Sequence, residues 1–207
     1  MNIEFFLLGF FTGLSLILAI GAQNIFVIEQ GLKKQYVFLV CLVCSVSDLL
    51  LIFVGIILFH HFQQYFTISI ELLLNIFLLI FLIYFIYSKV RAFQTSINLD
   101  TDLKENSLSE ILFKTLGFTY LNTHVYSDTV FFLGNISKNF LINEKIYFGI
   151  GASVASFIFF FFLGYLFNFL SKYAQSKNTW KYINIFIIGF MSLLAIYVVK
   201  ETLYFLG

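Results

Sequence analysis

The sequence predicts an all-α integral membrane protein of six transmembrane helices, a three-plus-three inverted repeat whose first and fourth helices are interrupted. Three observations predict it. The chain of 207 residues is 60% hydrophobic and only 11% charged, too apolar for a water-soluble domain of this length. Apolar runs close to the roughly 20 residues needed to cross a bilayer recur along it. Two of those runs, the first and the fourth, carry polar clusters that hydrocarbon tolerates only where they face protein or water.

The runs fall at about 3–28, 36–59, 70–87, 112–135, 146–170 and 182–206. The first lacks a basic leader and a small-residue cleavage site, and "IGAQN" inside it would make a poor signal peptide, so it reads as a retained span. The one long hydrophilic stretch, "SKVRAFQTSINLDTDLKENSLSEI" at 88–111, divides a single transmembrane domain, 1–207, into a first half of about 1–90, a cytoplasmic linker of about 91–111 and a second half of about 112–207.

Six spans put Lys33, Lys34, Lys89, Arg91, Lys104, Lys114, Lys172, Lys177 and Lys181 on one side and only Lys138, Lys145 and Lys200 on the other. The basic side is cytoplasmic by the positive-inside rule, which places both termini on the periplasmic or exterior face of a bacterial inner membrane. A net charge of +1 gives no basic surface for nucleic acid. The absence of a G-x-x-x-x-G-K-[ST] loop argues against direct nucleotide drive by this chain, and no cofactor is expected.

Nine of the eleven acidic residues lie in loops or at span ends, leaving Asp48 near the centre of the second span and Asp128 inside the fourth. No Lys or Arg is expected to be buried with them, since Lys114 and Lys200 stand near span ends. A carboxylate in hydrocarbon costs several kcal/mol and marks a cavity, a proton path or a binding site more often than a structural bond. The missing positive charge can then come from a cargo. In "CLVCSVSDLLLIFVG", helical spacing puts Cys41, Cys44, Ser45, Ile52 and Gly55 on the side of Asp48 and Leu42, Val46, Leu50 and Phe53 elsewhere. Small residues on one side fit helix packing and a lined pore equally well. The Cys41-x-x-Cys44 spacing has no second ligand pair, so no metal site is expected.

The fourth span reads "GFTYLNTHVYSDTVFFLGN", with Asn122, Thr123, His124 and Asp128 crowded together. His124 stands four residues before Asp128, one helical turn away, where the pair can relay a proton or His124 can serve structure alone. His60 and His61 read as interfacial. An odd number of spans per half inverts the second half, so "IGAQN" and "LNTH…SDT" become matching interruptions near the midplane. There the Gly21 backbone unwinds, and Gln23, Asn24 and the freed N–H groups can meet a carboxylate or amine. "GFFTG" adds a small face for close helix contact, within one protomer or between copies of a homo-oligomer.

Four stretches carry a family resemblance: "GLSLILAIGAQNIFVIEQGLKKQY", "CSVSDLLLIFVG", "TYLNTHVYSDTVFFLG" and "WKYINIFIIGFM". Together they resemble the signature regions of the LysE-type amino-acid exporters, in the lysine and arginine branch. The resemblance implies a small bacterial inner-membrane carrier that exports L-arginine and L-lysine, driven by the membrane potential or a proton gradient. By position Asp48 matches the acidic residue of the family's S-D block, and Asn122 and Asp128 match its fourth-span block. Relatives usually carry proline near the G-x-Q-N block and after the Asn of the L-N block, where this chain has Ala19, Ala22 and Thr123 and no proline anywhere. Gly21 and Thr123 must then break the helices, or the helices run straighter. The substrate-binding set expected is Asp48, Asp128, Gln23, Asn24 and Asn122, with a small-molecule amino acid and the lipid bilayer as partners. Export of neutral or homoserine-like compounds is the near alternative. An intramembrane aspartyl enzyme is the remote one, because Asp48 and Asp128 each follow serine rather than the Y-D and G-x-G-D contexts of such proteases.

Overall fold

A computed structural model describes residues 3–18, 21–62, 68–98, 107–174 and 177–206. All regular structure among them is helical: α1 (Ile3–Ile17), α2 (Ala22–Lys33), α3 (Val37–Phe62), α4 (Ile68–Asn98), α5 (Leu108–Tyr120), α6 (Thr123–Tyr126), a π-helical segment (Ser127–Phe132), α7 (Leu133–Ser137), α8 (Ile142–Leu170), a 3-10 turn (Ser171–Ala174) and α9 (Lys177–Leu206). Three stretches are long and apolar enough to cross a membrane, Val37–Ile57, Ile142–Tyr173 and Lys181–Lys200. α1 and α2 make a fourth if the bent pair counts as one span. The runs expected at 70–87 and 112–135 fall on α4, whose apolar stretch is Asn75–Tyr87, and on the broken succession α5 to α7.

Local chemistry sets the ends. Ser107 caps α5, its Oγ accepting from the Glu110 N–H at 3.3 Å, and Glu144 reaches back to accept from the Leu141 N–H at 2.8 Å ahead of α8. α2 closes with Lys34 in the left-handed region (φ 57°), its N–H and that of Gln35 returning to the carbonyls of Gly31 and Gln30. Of the linker expected at 91–111, residues 91–98 and 108–111 are helical. α4 runs on to Asn98 and α5 begins at Leu108, because "VRAFQTSIN" contains no breaker; residues 99–106 lie outside the described set.

α3 divides for the most part as its periodicity predicts. Cys41, Cys44, Ser45, Asp48, Ile52 and Gly55 are buried and Val46 and Leu50 are exposed on what becomes the lipid side, whereas Leu42 and Phe53 are half-buried, Phe53 against the cluster of Ile52 and Ile56. Hydroxyls at Ser45, Thr115, Thr119, Ser137 and Ser153 donate to carbonyls four residues back, so they add no unsatisfied group to an apolar interior. Phe26, Phe81 and Phe85 close around Phe118, with ring centroids 4.8–5.2 Å from it, and tie α2, α4 and α5 together.

Helix pairing follows one pattern. α1 and α2 pack along α8; the π segment and α7 pack along α3, with α5 beside them; α3 crosses α8, and α4 lies against α9. Exchanging the two halves of the chain returns the same set of pairs. Glycines sit at corresponding crossings. A Cβ on Gly31 would lie 2.6 Å from the Gly164 carbonyl oxygen, and one on Gly134 would lie 3.0 Å from that of Gly55. The "GFFTG" face is taken up inside the chain, since a Cβ on Gly9 would strike the Phe148 backbone and one on Gly13 would lie 2.9 Å from the Ala152 Cα. Those glycines therefore offer no surface to a second copy.

Candidate functional site

The two interruptions fall at the leading edge of the polar stretches that announced them, so that most of those polar residues lie in the helix after each break. α1 ends at Ile17 and α2 starts at Ala22, with its axis inclined 81° to α1, so Gln23 and Asn24 form the first turn of a new helix rather than an unwound segment. The second break falls at Leu121 and Asn122, and Thr123 opens α6. Side-chain capping explains the placement. The Asn24 Nδ2 donates to the Ile17 carbonyl oxygen at 3.1 Å and closes the end of α1. Asn122 Oδ1 accepts from the His124 N–H at 3.1 Å and opens α6, while the Tyr126 hydroxyl donates to the Tyr120 carbonyl at 2.9 Å and closes α5. Polar side chains thus do what proline would do, and both helices break without one.

Gly21 is not required for a left-handed backbone. Its φ of −112° and ψ of −174° are extended and open to any residue, and a Cβ there would find open space, the nearest heavy atom being Asn122 Nδ2 at 4.0 Å. That one distance also shows that the two breaks adjoin each other.

Between them lies a cavity of about 500 Å³. Its polar wall consists of Gln23, Asn24, Asp48, Asn122, His124, Asp128, Thr129, Ser156 and Tyr197, and the remainder is mostly aliphatic, including Ile52, Leu78, Leu82 and Leu133. Gly21 lines it as well. Of the residues expected at the site, only Thr123 is not in the wall; its side chain, with those of His60 and His61, lies outside the described set.

Asp48 is 4% exposed, and the Ser156 hydroxyl on α8 donates to its Oδ2 at 2.8 Å. Asp128 is half-buried in the π segment, where the Leu133 N–H bonds the Asp128 carbonyl five residues back. A π turn widens the helix by one residue and re-aims its side chains, which is why such turns recur at functional sites. The His124 ring packs on Tyr197 of α9 at 5.6 Å between centroids. Glu29, read as a span-end residue, is also buried, but Lys33 stands 2.5 Å from it. The contrast matters: among the described residues that line the cavity there is no Lys or Arg, so neither aspartate has a fixed cation there. No group of three or more His, Cys, Asp or Glu is placed to hold a metal among the described residues.

Ser156, Tyr197 and the π turn escaped the sequence reading. Ser156 had a signal, because Gly149, Ala152, Ser156 and Gly164 share one face of α8 at helical spacing. Removing a hydrogen bond to a charged acceptor costs about 1.5–3 kcal/mol. Ser156→Ala is accordingly expected to lower the transport rate by roughly tenfold or more while the protein still inserts. Initial rates in reconstituted vesicles check this, and an unchanged rate would remove Ser156 from the site.

A cavity of this size, walled by aliphatic groups with a few convergent polar ones, has the dimensions and lining usual for small-molecule sites. The family model described as LysE type translocator matches residues 14–202, nearly the whole chain. The chain belongs to this family. Proteins named arginine exporter protein ArgO are similar throughout. That of Pectobacterium atrosepticum is 33% identical over 187 residues, covering 88% of this chain and 90% of the relative. That of Klebsiella pneumoniae is 32% identical over 203 residues, covering 93% and 92%. That of Salmonella paratyphi A is 30% identical over 210 residues, covering 96% and 95%. No solved structure matches the chain. As a LysE-type translocator the chain is a multi-pass inner-membrane protein of an amino-acid exporter family, a transporter and not an enzyme.

Proposed function

We propose that this LysE-type translocator is a secondary-active exporter of the basic L-amino acids arginine and lysine, with the cavity between its broken helices as the transport site. The observation that carries this reading is the pair of carboxylates, Asp48 and Asp128, in a cavity without Lys or Arg among its described lining residues. A guanidinium or ammonium arriving with the substrate supplies the charge that the site lacks, and pairing in a low-dielectric cavity is strong. Arginine is also what the similar proteins are named for exporting. Asp48, held by Ser156, is the fixed partner; Asp128, on the π turn, is the one that re-aims. Gln23, Asn24 and Asn122 complete the polar wall, and His124, four residues before Asp128 in the chain, exchanges a proton with it.

The reading includes six spans arranged as a three-plus-three inverted repeat, with both termini on the periplasmic or exterior side and a linker after α4 in the cytoplasm. The symmetry of helix pairing under exchange of the halves, and the matched glycine crossings, support it. Nine of twelve basic residues on one side support the orientation. Counterflow of labelled arginine, lysine and threonine in proteoliposomes, with and without an imposed pH gradient, tests the function. Exchange of arginine and lysine but not threonine is expected. Exchange of threonine alone would transfer the protein to neutral amino acids, and indifference to both the pH gradient and the membrane potential would remove the secondary-active mechanism.

A further inference from the structure

Helix α2 ends at the cavity with its N-terminus uncapped. Gly21 occupies the capping position in an extended conformation and has no side chain to bond the first-turn N–H groups, and no hydrogen bond to the N–H of Ala22 or Gln23 is found among the described residues. Those groups carry the positive end of a twelve-residue helix dipole. The Gln23 side chain adds a second, independent sign. It is 7% exposed and lines the cavity, and its Nε2 is buried without a well-formed hydrogen bond, having only the weakly accepting Cys44 thiol nearby. A buried amide donor left unmet costs free energy, and such a group is found where something else comes to meet it. The neighbouring groups sharpen the assignment. Asn24 uses its Nδ2 on the Ile17 carbonyl, so that donor holds the break together, and Asn122 Nδ2 stands beside Gly21.

We propose that the first turn of α2, with Gln23 Nε2, is the socket for the substrate's α-carboxylate, and that this socket makes the transporter select amino acids over the corresponding amines. The inference rests on the cavity being the transport site proposed above. The two ends of the cargo are then read by opposite means. Its side-chain cation meets the aspartates of α3 and the π segment, and its carboxylate meets N–H donors at the helix end, as anions do at helix N-termini generally. Gly21 is small so that the carboxylate can reach those donors. An acidic residue in its place would cap α2 itself, since its extended backbone suits a capping Asp, and would put a competing carboxylate in the socket.

The test is equilibrium binding of four ligands to the purified full chain: arginine, its decarboxylated form agmatine, leucine, and its decarboxylated form isoamylamine. Wild-type protein is expected to bind arginine roughly ten- to hundredfold more tightly than agmatine, the loss of one or two charge-assisted hydrogen bonds. Gln23→Leu and, independently, Gly21→Asp are expected to close that gap to within about threefold through weaker arginine binding, and a wild-type melting temperature in each variant shows that it folds. Arginine and agmatine bound equally by the wild type, both far ahead of leucine, would overturn the socket and leave cation recognition standing. Leucine preferred over isoamylamine, with no binding of arginine, would keep the socket and overturn the basic-substrate reading. A wild-type preference for arginine that both variants retain would also overturn the socket.

Discussion

Asp128→Asn is expected to reduce arginine export by at least about thirtyfold without loss of inserted protein. The substitution keeps size and hydrogen-bonding capacity and removes only the charge, and losing one partner of a desolvated pair costs on the order of 2–5 kcal/mol. Two mechanisms give the same loss of export, and they separate under one condition. Binding of arginine to the purified variant at fixed pH, without a gradient, stays normal if Asp128 carries the coupling proton. It weakens for arginine and not for a neutral analogue if Asp128 holds the substrate cation. Unchanged export would take Asp128 out of the mechanism.

Gly55→Leu is expected to do as much damage by a different route. Gly55 lets α3 touch the π segment that carries Asp128: a Cβ there would lie 2.6 Å from the Val130 Cα and 2.7 Å from the Thr129 carbonyl oxygen, both backbone atoms that cannot rotate away. Overpacking of a buried contact costs about 1–3 kcal/mol even where side chains can adjust, and here the π segment itself must move. A lowered melting temperature and loss of transport are the expected results. Gly189 on α9 is the control, because a Cβ there meets nothing within 4 Å, so Gly189→Leu should be silent in both measurements. A Gly55→Leu protein with the melting temperature and transport rate of the wild type would show that this crossing does not position the site.

Helical class, the buried face of α3 and the meeting of the two polar interruptions were legible in the sequence, because each rests on periodicity or on the cost of polar groups in hydrocarbon. Asp48 could be picked out for that reason: nothing on its own helix offers it a charge partner. The true starts of α2 and α6 were not legible, since they depend on which carbonyl or N–H each Asn side chain finds across the break. Asn24 reaches seven residues back to Ile17, a contact that exists only once the chain has bent. The π turn around Asp128 was hidden for a related reason. One extra residue per turn shifts the register of a helix without changing its composition, and the packing of Gly55 on Thr129 and Val130, which accompanies the turn, is a tertiary contact. The fate of "GFFTG" was open from sequence alone, because small faces look alike whether the partner helix belongs to the same chain or to another. The Phe148 and Ala152 backbones on α8 decide it.

The central claim is that buried carboxylates in this cavity recognise the cation of the cargo. Citrulline tests it most directly, because it matches arginine in length and shape and replaces the guanidinium with a neutral urea group. Equilibrium binding of arginine and citrulline to wild-type protein and to Asp48→Asn, at one pH and without a gradient, is the measurement. The account predicts that the wild type binds arginine at least about thirtyfold more tightly than citrulline, and that Asp48→Asn removes most of this difference while leaving citrulline binding in place. Equal affinity for the two ligands in the wild type, or a preference for arginine that survives in Asp48→Asn and Asp128→Asn alike, would contradict it.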